Sequence, residues 1–115
     1  MVIDTSALIA ILTLEEDARF FADAIEQDSR RLMSAASLLE ASIVMTARYG
    51  EEGGRELDLL LREASVEIVA VTAEHAEVAR QAHRIYGKGR HPAGLTYLLI
   101  ILLHMILTKM ALLII

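Results

Sequence analysis

Asp4 and Glu40 are the two residues of this chain whose types and settings are best suited to joint chemistry. Asp4 follows the apolar pair Val2-Ile3 and precedes Thr5-Ser6, whose hydroxyls suit a helix N-terminus. A buried strand ending in a carboxylate puts that acid at the carboxyl edge of a sheet, where open α/β folds collect ligands. Glu40 lies in the first turns of a helix that follows a second short strand, Arg31-Leu32-Met33-Ser34. If the two strands are parallel neighbours, the two carboxylates converge. Like charges held close repel, and a hard divalent cation with oxygen preference relieves the repulsion. Each acid also has a purely structural reading. Asp4 can cap the following helix, and Glu40 can pair with Ser37 in the capping pattern Ser37-Leu38-Leu39-Glu40.

The elements that must position these acids alternate between strand and helix, the pattern of a parallel sheet covered on both sides. After the first strand and a short helix, Thr13-Leu14-Glu15-Glu16 reads as a capping box. It opens a helix expected to bury Phe20, Phe21, Ala24 and Ile25 and to end near Asp28-Ser29. The strand at Arg31–Ser34 runs into a helix from Ala35 to Tyr49, stopped by Gly50. Gly53-Gly54 falls near the start of the next helix, in which Leu57, Leu60, Leu61 and Ala64 recur at helical spacing. Val66–Val71 is β-branched and reads as a strand, Thr72 caps a helix that continues to Tyr86, and residues 87–92 are a loop by composition. Leu38, Leu39, Ile43, Leu57, Leu60 and Leu61 are expected to serve the core first and a partner helix second.

The 115 residues are read as one domain, residues 1–115, long enough for a real core. The apolar share is 55%, and the absence of cysteine excludes disulfides and thiolate metal sites, which fits a cytoplasmic location. No secretory leader is expected ahead of Asp4. The net charge of −5 conceals a split, because all sixteen acids lie before Val78. Beyond that point come Arg80, Arg84, Lys88, Arg90 and Lys109 with no Asp or Glu. Arg80, Arg84, Lys88 and Arg90 are the candidate phosphate contacts, with Arg80 and Arg84 one turn apart on one helix face and glycines flanking Lys88. Binding there would weaken steeply with salt. With no tryptophan, three tyrosines and two phenylalanines, recognition would lean on backbone and shape more than on base stacking. His75 and His83, eight apart, do not have zinc-ligand spacing, and His104 has no second ligand at helical distance.

Three segments taken in order, Val2-Ile3-Asp4-Thr5-Ser6-Ala7-Leu8, Ser34-Ala35-Ala36-Ser37-Leu38-Leu39-Glu40 and Tyr86-Gly87-Lys88-Gly89-Arg90-His91-Pro92-Ala93-Gly94-Leu95, resemble PIN-domain ribonucleases of the VapC toxin type. The resemblance covers about residues 1–95. It implies a three-layer α/β/α sandwich with a central parallel sheet and a metal-dependent endoribonuclease that hydrolyses RNA phosphodiester bonds. It implies Mg²⁺ or Mn²⁺ as cofactor and, as partners, an RNA substrate, a neutralising antitoxin and a second copy in a homodimer. By motif, Asp4 and Glu40 become the catalytic and metal-binding acids, with Thr5 and Ser6 as hydroxyls that orient Asp4 or touch a metal-bound water.

The resemblance breaks after Leu95, where the family carries a third catalytic aspartate. Here Thr96–Ile115 holds no acid, and from Tyr97 onward it is apolar except for His104, Thr108 and Lys109. The tail is expected to form a buried helix, Leu98–Thr108, and a central strand, Met110–Ile115, rather than a membrane anchor. A frame change in the gene is a further reading of so sharp a break. With two acids, a catalytically impaired PIN-like module that binds antitoxin or RNA without cleaving is the alternative function. An aspartyl phosphoryl-transfer enzyme ranks below both, because Ser6 stands where its second aspartate belongs.

Overall fold

Three extended segments lie side by side in parallel, with the middle of the sequence at the centre: Val2 bridges to Leu32 of strand β1 (Leu32–Ser34), which pairs with strand β2 (Glu67–Val69). The computed structural model describes residues 1–86 and Gly89. The first segment is held by two backbone bonds, Ile3 N to Leu32 O at 2.7 Å and Leu32 N to Met1 O at 2.9 Å. Register across the other pair runs Leu32 to Glu67, Met33 to Ile68 and Ser34 to Val69. The expected strand at Val66–Val71 is therefore present but shorter. An α/β fold with a small parallel sheet results.

Side chains alternate between the two faces of this sheet, as pleating requires. Met1, Ile3 and Met33 join Ala7, Leu8, Ile25, Ala41 and Leu57 in the main core, against helices α1 (Thr5–Leu12), α2 (Ala18–Gln27) and α3 (Ala35–Glu63). Val2 and Leu32 face the other way, pack with Val69 and are also fully buried. Val69 and Val71 in turn meet Ala79 and Ala82 of α4 (Ala73–Tyr86). Burying a Leu, Ile or Met side chain contributes about 1.5–3 kcal/mol. The side-chain ion pairs Arg19–Asp23, Arg55–Glu51, Arg55–Glu52 and Arg80–Glu77 among the described residues are solvent-exposed, and such pairs contribute about 0–1 kcal/mol. The apolar core, not the surface charge, holds the sheet edge in place.

One departure from the sequence reading concerns the junction of α1 and α2. Thr13 does not open α2; its backbone closes α1, and its hydroxyl donates back to the Ile9 carbonyl at 2.7 Å while lying 3.0 Å from Glu15 Oε1. The chain then turns through Leu14 at φ 55°, and α2 starts only at Ala18. Phe20 and Phe21, consecutive in the helix, point about 100° apart and cannot both face the core: Phe20 is 66% exposed and meets Phe21 edge-on, while Ile25 is buried, with Phe21 and Ala24 packed beside the core. The helix from Ala35 does break at Gly50, whose φ of 64° and ψ of −151° favour glycine, and the chain resumes helically to Glu63. The kink presses the second segment so close that a Cβ on Gly53 would overlap the carbonyl oxygen of Met45.

Leu57 enters the core, with Leu38, Leu60 and Leu61 packed against it. Leu39 and Ile43, four apart on α3, remain 62% and 60% exposed, so those two do not serve the described core. Among the described residues, no helix is long and apolar enough to cross a membrane. The expected helix Leu98–Thr108 and strand Met110–Ile115 lie outside the described residues.

Candidate functional site

The parallel register brings the end of the first extended segment next to the end of β1, so α1 and α3 begin side by side. Asp4 occupies the N-cap position of α1 in extended conformation, φ −87° and ψ 157°, but its side chain takes no amide of that helix. Its Oδ2 accepts instead from the Ser6 hydroxyl at 2.9 Å. Asp4 is half-buried, which leaves carboxylate surface free for another ligand.

Glu40 is also half-buried, in the second turn of α3. The capping pattern expected for Ser37 and Glu40 is absent because the helix begins earlier. Ser34 is the cap: its Oγ accepts from the Ser37 amide at 3.0 Å and donates to Ser37 Oγ at 2.9 Å. Glu40 is thereby released from backbone duty, and its Oε2 accepts from the Thr5 hydroxyl at 2.8 Å. Thr5 is buried, and its Oγ1 also lies 3.1 Å from the Ser37 carbonyl oxygen.

The two hydroxyls after Asp4 therefore serve different acids. Both were expected to orient Asp4 or touch its ligands, but only Ser6 reaches Asp4, while Thr5 reaches across to α3. The reason is elementary: consecutive residues on a helix with 3.6 residues per turn point about 100° apart. Thr5 faces inward and Ser6 outward, a division that the 3.6-residue period, applied from Thr5 as the first helical residue, makes readable in the sequence.

The donor set is all oxygen: two carboxylates with two hydroxyls behind them. That composition suits a hard cation, which can keep several waters and accept substrate phosphate as a further ligand. Among the described residues no group of three or more His, Cys, Asp or Glu is poised to hold a metal, and the sequence beyond Glu77 contains no acid.

Of the four expected phosphate contacts, Arg80 and Arg84 lie exposed on α4. The basic stretch is less free than its sequence suggests, because Glu77 pairs with Arg80 at 3.2 Å and also accepts from Gln81 at 3.4 Å. Lys88 and Arg90 lie outside the described residues. The Thr72 cap of α4 is present and reciprocal, with the Thr72 hydroxyl accepting from the His75 amide and His75 Nδ1 accepting from the Thr72 amide, each at 3.2 Å.

Sequence reasoning passed over Arg31. Its guanidinium donates to three backbone carbonyls, those of Ile25 at 2.6 Å, Ala64 at 2.8 Å and Glu26 at 3.1 Å. These are unpaired acceptors at the C-terminal ends of α2 and α3, where a cation is favoured. A cavity of about 410 Å³ adjoins it, lined by Ile11, Ala22, Ile25, Leu60 and the acids Glu26 and Glu63 among others.

Comparison with known proteins gives concordant results. The family model described as PIN domain matches residues 1–114, further along the chain than the motifs alone extend. Ribonuclease VapC30 of Mycobacterium tuberculosis is 61% identical over 97 residues, covering 84% of this chain and 74% of its own length. Ribonuclease VapC of Mycolicibacterium smegmatis is likewise 61% identical over 97 residues, covering 84% of this chain and 75% of its own. Ribonuclease VapC28 of Mycobacterium tuberculosis is 44% identical over 98 residues, with 84% and 74% covered.

Proposed function

Because the chain belongs to the PIN-domain family, with VapC ribonucleases as relatives, we infer that it is a divalent-metal-dependent endoribonuclease toxin whose cation, Mg²⁺ or Mn²⁺, is held by Asp4 and Glu40. The observation that supports this assignment most is the Thr5–Glu40 bond. It ties one carboxylate to the residue next to the other, although the two acids are far apart in sequence. When bound, the metal supplies a water of lowered pKa and neutralises charge on the reacting phosphate. The chain's own residues hold the geometry. Ser6 restrains the Asp4 carboxylate, Thr5 restrains that of Glu40, and Ser34 keeps the start of α3 fixed. Arg84, and Arg80 as far as Glu77 releases it, would meet the RNA backbone, joined by Lys88 and Arg90.

The reading includes a three-layer α/β/α arrangement, supported by the complete burial of Val2 and Leu32 on the sheet face opposite α1 and α3. It also includes a cognate antitoxin and a homodimer, for which the exposed Leu39 and Ile43 beside Glu40 offer apolar surface. An RNA-cutting toxin acts where RNA is, so the reading is of a cytoplasmic protein. The absence of any acid beyond Glu77 favours one alternative, a module that binds antitoxin or RNA without cutting. Cleavage of RNA in Mn²⁺ by the wild type and by Asp4→Ala separates them. Loss of metal-derived stabilisation of several kcal/mol predicts a fall of at least about 100-fold in the variant. Equal rates in both proteins would refute the assignment of Asp4, and no cutting by either supports the binding module.

A further inference from the structure

Thr5 carries one hydroxyl proton and has two acceptors within reach, the Ser37 carbonyl at 3.1 Å and the Glu40 carboxylate at 2.8 Å. Ser37 lies in the first turn of α3, so its carbonyl already accepts the helical amide four residues on. The carboxylate is the nearer acceptor and the charged one, and hydrogen bonds to ionised acceptors are roughly twice as strong as neutral ones. Thr5 is 6% exposed, and a β-branched side chain at the start of a helix has few rotamers open to it. Glu40, half-buried on a long flexible stem, has many. A rigid buried donor therefore confronts a mobile carboxylate. Ser6 is exposed and engaged with Asp4, so it cannot replace that donor.

We propose that Thr5 is a positioning residue that holds the Glu40 carboxylate against the N-terminus of α1, so that the metal meets two acids already brought together. The inference rests on the metal-site reading above but makes a separate claim, that the pair is assembled before the cation arrives. Thr5→Val removes the hydroxyl at nearly constant shape; Thr5→Ser restores it. Mn²⁺ binding is read by titration calorimetry on the full chain, with circular dichroism to verify folding and Asp4→Ala as reference. Loss of an outer hydrogen bond to a ligand typically weakens metal affinity about 10–100-fold, and that is the change expected for Thr5→Val. Thr5→Ser should stay within about threefold of wild type, since it keeps the donor that sets this affinity. With RNA, kcat should fall in Thr5→Val while KM holds.

Wild-type Mn²⁺ affinity in Thr5→Val, with affinity lost in Asp4→Ala, would overturn the proposal. Should Asp4→Ala also bind normally, the metal-site reading fails instead. Thr5 is then judged by a metal-free crystal structure of Thr5→Val, in which a displaced Glu40 carboxylate supports the proposal and an unmoved one overturns it. If Thr5→Val does not fold, Thr5→Ala is put through the same measurements.

Discussion

Replacing Leu14 with glycine should stabilise this protein, although leucine is the larger and more apolar residue. The turn after α1 is closed by two backbone bonds, Glu15 N to Ala10 O at 2.9 Å and Leu14 N to Ile11 O at 3.3 Å. This is the pattern that places one residue in the left-handed region just past a helix end, normally glycine. Leu14 holds that position at φ 55°. A side chain there costs about 1–2 kcal/mol from the clash of Cβ with the backbone. Glycine relieves it but gives back about 0.5–1 kcal/mol in unfolded-chain entropy. Because Leu14 is 85% exposed, almost no burial is lost, and the net gain is about 0.5–1 kcal/mol. For a domain of this size that raises Tm by roughly 2–6 °C, measurable by calorimetry and by the urea midpoint. Leu14→Ala separates the causes, since it removes the exposed isobutyl group and keeps the Cβ. The reasoning is refuted if Leu14→Gly is less stable than wild type, or if Leu14→Ala gains as much as Leu14→Gly.

Two further outcomes follow from side chains that act on the backbone. Arg31→Met strips the donors from three carbonyls and should cost about 2–4 kcal/mol in urea unfolding, taking bonds to charged groups at about 1.5–3 kcal/mol each and discounting for partial exposure; Arg31→Lys, a single-point donor, should recover less than half. Asp28 accepts from the Arg30 amide at 2.9 Å, which, with the N-terminal ammonium and Arg31 also contributing and desolvation opposing, holds its carboxyl below the ordinary value of 3.8. A depressed carboxyl pKa stabilises the fold above the unfolded-state value and loses that contribution as pH falls through the folded-state value. Asp28→Asn should therefore be less stable than wild type at neutrality, show a flatter acid limb, and converge on wild type as pH falls below 3.8, as followed by chemical denaturation across that range.

The order of elements and the placement of Asp4 and Glu40 near the starts of the two neighbouring helices α1 and α3 were legible because they depend on periodicity and on short apolar runs that can only be buried. Val2-Ile3 and Leu32-Met33 could hardly be anything but inner strands, and the acids that follow them inherit their positions. Helix starts were harder to read, because a Ser or Thr followed by Glu three residues later occurs by chance. Ser34 outcompetes Ser37 as the cap of α3 since it ends a fixed strand, and Thr13 closes a helix although its spacing to Glu16 suits opening one. Arg31 was illegible for a different reason. Its three acceptors come from residues 25, 26 and 64, and nothing local in the sequence announces that two helix ends will meet beside one guanidinium.

Arg31 also joins the sheet, for its own carbonyl accepts the Glu67 amide at 2.9 Å while its side chain grips Ala64. The last turn of α3 and the first rung of the β1–β2 ladder thus hang on one amino acid. Slipping β2 by a single position would tear its amide from Arg31 and turn every side chain of the strand to the opposite face. The protein locks that alignment from outside the strand as well as within it. In hydrogen exchange, the amides of Val66 and Glu67 should consequently open as one cooperative unit, even though one belongs to a helix terminus and the other to a sheet.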